Sequence, residues 1–250
     1  MSNSNDSGGR VRRLTINEHI TPCFDGIQFT GRNGEARGEY ELLNGVALME
    51  VDPLHPLNED VVNLARAPRN ARGWVDYDID VCILKPLDMA RSNGWLFYEI
   101  LNRGGKRSVP RINHAPNRNQ PRTAADAGNG FLMREGYTMA WGGWQSDVAP
   151  GNGRMVARYP VATDDGRPIT GRCREEYIDH SADEVFTGKL TYPAADIDPA
   201  KATLTVRGRE RDPRETPPDL QWRYLDASRI EITRPKDPRF DRGAIYEFIY

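Results

Sequence analysis

The chain has 250 residues with 34 basic against 36 acidic side chains, so no global field draws it to nucleic acid or an anionic membrane. Leu, Ile, Val and Phe make up one fifth of it, which borders on the disordered range, yet a formal charge of −2 and five tryptophans argue for a folded chain. With 23 glycines and 18 prolines, the expected molecule is rich in turns and short strands, and its core is small for its length, as it would be if something else supplied part of it.

Residues 1–10 read as a disordered tail, polar and without the apolar segment of a secretory signal. No later apolar run approaches a membrane span, so a cytoplasmic chain with no membrane partner is expected. Between Arg12 and Val51, FDGIQF, NGEARGEYELL and NGVALMEVDP alternate short apolar stretches with glycine turns, which predicts strands and hairpins. PLNEDVVNLARAPRN (56–70) fits either one helical turn or a short strand. In GWVDYDIDVCILKP (73–86), Val75, Tyr77, Ile79, Val81 and Ile83 alternate with Asp76, Asp78, Asp80 and Cys82, a period of two that predicts a strand with one wet face. WLFYEIL (95–101) is apolar almost throughout, as strands buried on both sides of a parallel sheet are.

Asn- and Arg-rich text follows, then AADAGNGFLMREG, which predicts a short helix closed by Gly136, and YTMAWGGW (137–144), another strand. Strand, crossover, strand predicts a parallel pair. From 151 the text turns β-rich, with an Asp-Gly hairpin in ATDDGRPITG and strands in ATLTVRGRE, QWRYLDASRIEITRP and GAIYEFIY. The expected organisation is a tail over 1–10, an α/β part over 11–150 and a β-rich part over 151–250.

Two strand ends carry the chemistry. In YEILNRGGK, strand text runs into Asn102, Arg103, Gly104 and Gly105, a glycine pair beside two cations. The spacing lacks the Gly-Lys-Ser/Thr of a phosphate loop and the G-x-G-x-x-G of a dinucleotide site, so no such cofactor is implied. Glycines there let backbone N–H groups turn toward a developing oxyanion, although a plain tight turn explains the same text. In WGGWQSD, Trp141, Gly142, Gly143, Trp144 and Asp147 end the later strand in the same manner and are candidates for a pocket wall.

These paired segments, with APRNARGWVDYDIDVCILKP, PITGRCREEY, LTVRGRERDPRETPP and GAIYEFIY, resemble in order a group of large bacterial and fungal α/β hydrolase domain-containing proteins, over roughly residues 35–250. The resemblance implies an α/β fold, an incomplete α/β-hydrolase-like sheet with a β-rich insertion. It also implies that the chain is the N-terminal portion of a serine hydrolase acting on a small-molecule carboxylic ester. In that group the serine, acid and histidine follow the GAIYEFIY segment, and no G-x-S-x-G occurs in these 250 residues, so no catalytic residue carries over. The expected contribution is the oxyanion loop alone, in a chain inactive by itself and prone to self-association through an unpaired sheet edge.

The remaining candidates are isolated. Cys23, Cys82 and Cys173 form neither a disulfide framework nor a zinc pattern, and no metal site is expected. Cys173 lies among cations but has no base in its local sequence, His180 sits in an acidic turn, and His114 could reach the mouth of a site near Asn102. A non-catalytic β-rich module that binds a small molecule or glycan is the rival reading, with Trp95 and Trp141 in the core and Trp144 and Trp222 exposed for stacking.

Overall fold

Extended backbone dominates the computed structural model, which describes residues 8–250. The chain divides into two units, one running to Arg167 and the other over Pro168–Tyr250. The tail expected over 1–10 lies outside the described residues up to position 7, whereas Gly9 and Arg10 already belong to the first strand.

The first unit contains β1 (Gly9–Cys23), β2 (Phe29–Thr30), β3 (Ala36–Gly38), β4 (Tyr40–Val51), β5 (Val75–Pro86), β6 (Leu96–Ile100), β7 (Thr138–Gly142), β8 (Ala157–Arg158) and β9 (Thr163–Asp164). Its main sheet runs β1-β4-β5-β7-β6, with β8 also paired to β5. Neighbours are antiparallel until β7 and β6, which run parallel from Leu96↔Thr138 to Ile100↔Gly142, as the strand–crossover–strand text predicts.

The α/β expectation is overturned. Among the described residues, α-helix is confined to α1 (Ser108–Ile112) and α2 (Phe131–Arg134), one turn each, and the strands fall into several small sheets rather than an α/β-hydrolase-like layer structure. Pro116 and Pro121 follow α1 within the β6–β7 crossover, so its single turn is not extended into a long crossover helix. The 56–70 stretch settles into two 3-10 turns, Pro56–Asn58 and Leu64–Arg66, instead of a helix or a strand.

The core of this unit sits on one side of the main sheet. Tyr40 and Leu42 of β4, Cys82 and Leu84 of β5, and Met139 and Trp141 of β7 are buried against Phe24, Leu101, Val109, Leu132 and Met133. This corrects the expected facing of β5. Cys82 and Leu84 share their side with the aspartates and are buried, while Tyr77, Ile79, Val81 and Ile83 on the opposite side are only half-buried. The aspartate side is wet only at its other end, where Arg158 pairs with both Asp78 and Asp80.

The hairpin of β9 with β10 (Arg167–Pro168) turns on Asp165-Gly166, as expected. Beyond it come β11 (Arg174–Ile178), β12 (Val185–Lys189), β13 (Thr203–Arg207), β14 (Gln221–Asp226), β15 (Arg229–Thr233) and β16 (Ile245–Ile249). They form two antiparallel three-stranded sheets, β11-β16-β13 and β12-β15-β14. Leu204, Val206, Tyr246 and Phe248 of one sheet share a buried cluster with Ile230 and Ile232 of the other. Trp222 meets Phe248 edge-on at 4.7 Å and Phe186 meets Tyr246 at 5.1 Å, a small aromatic-cored sandwich. The β-rich part expected from 151 thus becomes a separate unit only at Pro168.

Two tryptophan expectations reverse. Trp222 is partly buried and packs edge-on against Phe248 of this sandwich core rather than standing free, and Trp95 is 71% exposed because it precedes β6 at the rim of the main sheet. Among the described residues, no helix is long and apolar enough to cross a membrane.

Candidate functional site

The parallel pairing of β6 with β7 brings the two glycine-ended segments side by side. Arg103 and Gly104 both have positive φ, +52° and +72°, and the Gly105 N–H donates to the Asn102 carbonyl at 3.1 Å. This is the geometry of a type I′ turn. The Arg103 N–H donates to Gln145 Oε1 at 2.7 Å, and its guanidinium donates to both Asp147 Oδ2 and the Asp147 carbonyl at 2.7 Å. The Trp144 indole donates to the Leu101 carbonyl at 2.5 Å. Two of the amides offered for an oxyanion, those of Arg103 and Gly105, are therefore already engaged within the protein.

Behind the turn, Glu99 is a hub. It accepts from the Trp141 indole at 2.6 Å, the Ser108 hydroxyl at 2.5 Å and the amides of Arg107 and Ser108 at 2.7 and 3.0 Å. Those bonds tie β6 to β7 and to the start of α1. Lys106 is 3% exposed, its Nζ donating to the Asn119 carbonyl at 2.6 Å and lying 5.4 Å from the centre of the Trp141 ring. Trp141 is consequently a core side chain rather than a pocket wall, and Gly142 and Gly143 are buried with it.

In front of the turn lies a cavity of about 660 Å³, the size of a small-molecule site. Asn102, Arg103 and Gly105 form one wall with Arg107. The crossover supplies Asn117, Arg118, Asn119, Gln120 and Arg122, and the turn after β7 supplies Asn152, Gly153 and Arg154. Asn119 binds the walls together: its Oδ1 accepts from the Lys106 amide at 2.8 Å and its Nδ2 donates to the Asn152 carbonyl at 2.8 Å.

Five arginines face this one cavity, and three have carboxylate partners. Arg103 pairs with Asp147 at 2.7 Å, Arg122 with Glu18 at 2.7 Å and Arg118 with Asp126 at 3.4 Å. Arg107 and Arg154 instead donate to neutral oxygens, Asn117 Oδ1 at 3.3 Å and the Ala149 carbonyl at 3.2 Å. The cavity wall therefore carries surplus positive charge and a set of amide side chains that both donate and accept. The hydrogen bond from Arg103 holds the Asp147 carboxyl below its ordinary range, so it stays ionised and neutralises only that one guanidinium near neutral pH.

Asp126 carries a pH prediction. Burial pushes its pKa up, but amide hydrogen bonds from Arg122 and Thr123 and the Thr123 hydroxyl outweigh that and hold it below 3.8. Its folded value is depressed, so its stabilisation is present above 3.8 and is lost as pH falls through the lower folded value. In denaturant melts, the stability gap between wild type and Asp126→Asn should be widest above about pH 5 and should close toward about pH 2. A gap that stays constant over that range would refute the assignment.

Of the residues singled out in the sequence, Asn102, Arg103 and Gly105 line the cavity, while Gly104 lies in the turn behind it with its carbonyl accepting from the Met155 amide at 3.0 Å. Trp144 and Asp147 stand beside the turn without lining it, and His114 is exposed outside it. Sequence reasoning missed the crossover arginines and asparagines and Arg154. Their signal was the Asn/Arg-rich composition of 102–122, which says what the loop is made of but not that it folds back on the turn. Cys173 lies in the second unit, its backbone paired with Tyr250, and Arg174 beside it is taken up by Glu176 and Glu247. Among the described residues, no group of three or more His, Cys, Asp or Glu is placed to hold a metal ion.

No known protein family matches this chain, and neither does any curated protein or any solved structure. The resemblance to α/β hydrolase domain-containing proteins rests on the quoted segments alone, and the fold it implied is corrected above.

Proposed function

We propose that the chain is a non-catalytic binding module for a small, oxygen-rich anion, held in the cavity at the C-terminal ends of β6 and β7. One observation carries this reading: five arginines line a single cavity while three carboxylates pair with them, leaving Arg107 and Arg154 with neutral partners. Planar guanidinium groups bind carboxylates and phosphates through paired hydrogen bonds, and the Asn and Gln side chains suit the hydroxyls of a polyol carrying such a group.

Titration calorimetry with pyrophosphate and with citrate tests it. At least one should bind, with affinity falling as salt rises. The double variant Arg107→Ala/Arg154→Ala should weaken binding roughly 10- to 100-fold, the loss expected of two charge-assisted contacts. Neither guanidinium anchors the core, so the melting curve should be unchanged. Absence of heat from both probes at millimolar concentration, or equal binding by the double variant, would overturn the reading.

Carboxylic-ester hydrolysis, with this chain contributing the Asn102–Gly105 loop to a larger active site, is a second reading. The adjacency of the two glycine-ended strand ends favours it. The engaged amides of Arg103 and Gly105 weigh against it. The anion titration separates the two, because the hydrolysis reading places its nucleophile outside these residues and calls for no anion site: binding lost in Arg107→Ala/Arg154→Ala favours the module, and absence of binding favours the loop contribution.

A further inference from the structure

The side of the main sheet opposite the core is apolar across all five strands. The registers give its rows directly. Ile16, Gly45, Val81, Gly142 and Ile100 form one row. Leu43, Ile83, Ala140 and Tyr98 lie in the next, which His19 closes on β1, and Leu14, Ala47 and Ile79 lie on the other side. At both rims these side chains are open: Leu14 is 47% and Ile16 40% exposed on β1, Leu96 61% and Ile100 75% on β6. Charge enters only at one end, where Lys85 and His19 both pair with Glu41.

Such a face is unusual on an isolated chain, since contiguous apolar patches beyond a few hundred Å² mark contact surfaces. Five strands about 4.8 Å apart span roughly 20 Å, and the open rows extend about 20 Å along the strands, a flat footprint on the order of 400 Å². Two such faces with their side-chain relief bury about 1,000 Å², the size at which specific interfaces begin. A two-fold interface places each residue near copies of the same surface, so any concentrated charge would meet its like. This face has almost none, which makes it self-complementary and unsuited to a charged partner.

We infer that this face is an interface between two copies of the chain, packed sheet on sheet. Two faces about 10 Å apart would form a sandwich, and each copy would supply the layer that the other lacks. The half-buried Val81 and Ile83 and the two-sided apolar text of β6 then acquire the burial their composition calls for.

Sedimentation equilibrium of the full chain tests the inference, with Ile16→Lys on one rim and Ile100→Lys on the other. The wild type should dimerise reversibly, and each substitution should raise the dissociation constant roughly 10- to 100-fold while leaving the secondary structure intact. Hydroxyl-radical footprinting of the wild type needs no variant: oxidation of Leu14, Ile16, Tyr98 and Ile100 should fall together as concentration passes the dissociation constant. A chain monomeric at about 100 µM, well above the dissociation constant of a specific dimer, overturns it. So does a dimer weakened by Ile100→Lys alone, which would be pairing along the β6 edge, or one weakened by neither substitution.

Discussion

Replacing Trp141 by Ala is expected to remove about 3–5 kcal/mol of stability, the usual loss when a large aromatic leaves a packed core. The ring is 1% exposed, its indole donates to Glu99 at 2.6 Å and Lys106 lies over its face. The substitution therefore opens a cavity, takes one donor from Glu99 and strips a buried ammonium of its aromatic partner. Trp141→Phe separates these contributions. It keeps most of the volume, and Glu99 still accepts from Ser108 and Arg107, so its loss should be nearer 1–2 kcal/mol. The chain has two units with separate cores, so urea melts should show the damage in one transition only. A Trp141→Ala variant within about 1 kcal/mol of wild type would contradict the packing described.

The second large effect is expected at Gly143. A Cβ there would lie 2.2 Å from the carbonyl oxygen of Val156 and 2.7 Å from its nitrogen. That backbone cannot give way cheaply, because Asp80 grips it from both sides. The Asp80 N–H donates to the Val156 carbonyl at 3.0 Å, and the Val156 N–H donates to Asp80 Oδ2 at 2.9 Å. The Gly143 N–H in turn donates to the Asp80 carbonyl at 2.8 Å. Gly143→Ala should cost about 3 kcal/mol or more, or prevent soluble expression. Gly171→Ala is the control: nothing lies within 4 Å of its added Cβ, and its stability should stay within about 0.5 kcal/mol of wild type. Equal melting temperatures for the two variants would refute the close approach.

Gly143 also shows how far the sequence could be read. A glycine pair closing a strand is legible in WGGW, and the text suggests a pocket wall. The cause is a neighbouring backbone 13 residues away in sequence, and local text carries no trace of that. Likewise the period of two in β5 marked the strand correctly but not which side would be covered, since that depends on where the 101–133 segment packs. The parallel pairing of β6 and β7 was legible because a polar crossover separates two apolar runs. The helical layer expected around them was not there, because proline and asparagine in the crossover favour turns. For the candidate site, the NRGGK turn was legible from its glycines. The loop that encloses it is held by Asn119, whose hydrogen bonds to Lys106 and Asn152 bridge segments 13 and 33 residues away.

The sheet β11-β16-β13 has a consequence for synthesis. β16 is the last of its three strands in sequence, yet it lies between the other two and supplies every ladder hydrogen bond that holds them. On a ribosome, β11 and β13 emerge with no partner in that sheet and wait, their edges open, until β16 has been made. The first unit has no such delay, since its strands are complete by Arg167. Ribosome-bound chains halted before β16 should therefore carry a protease-resistant first unit and a second one that is cut at once.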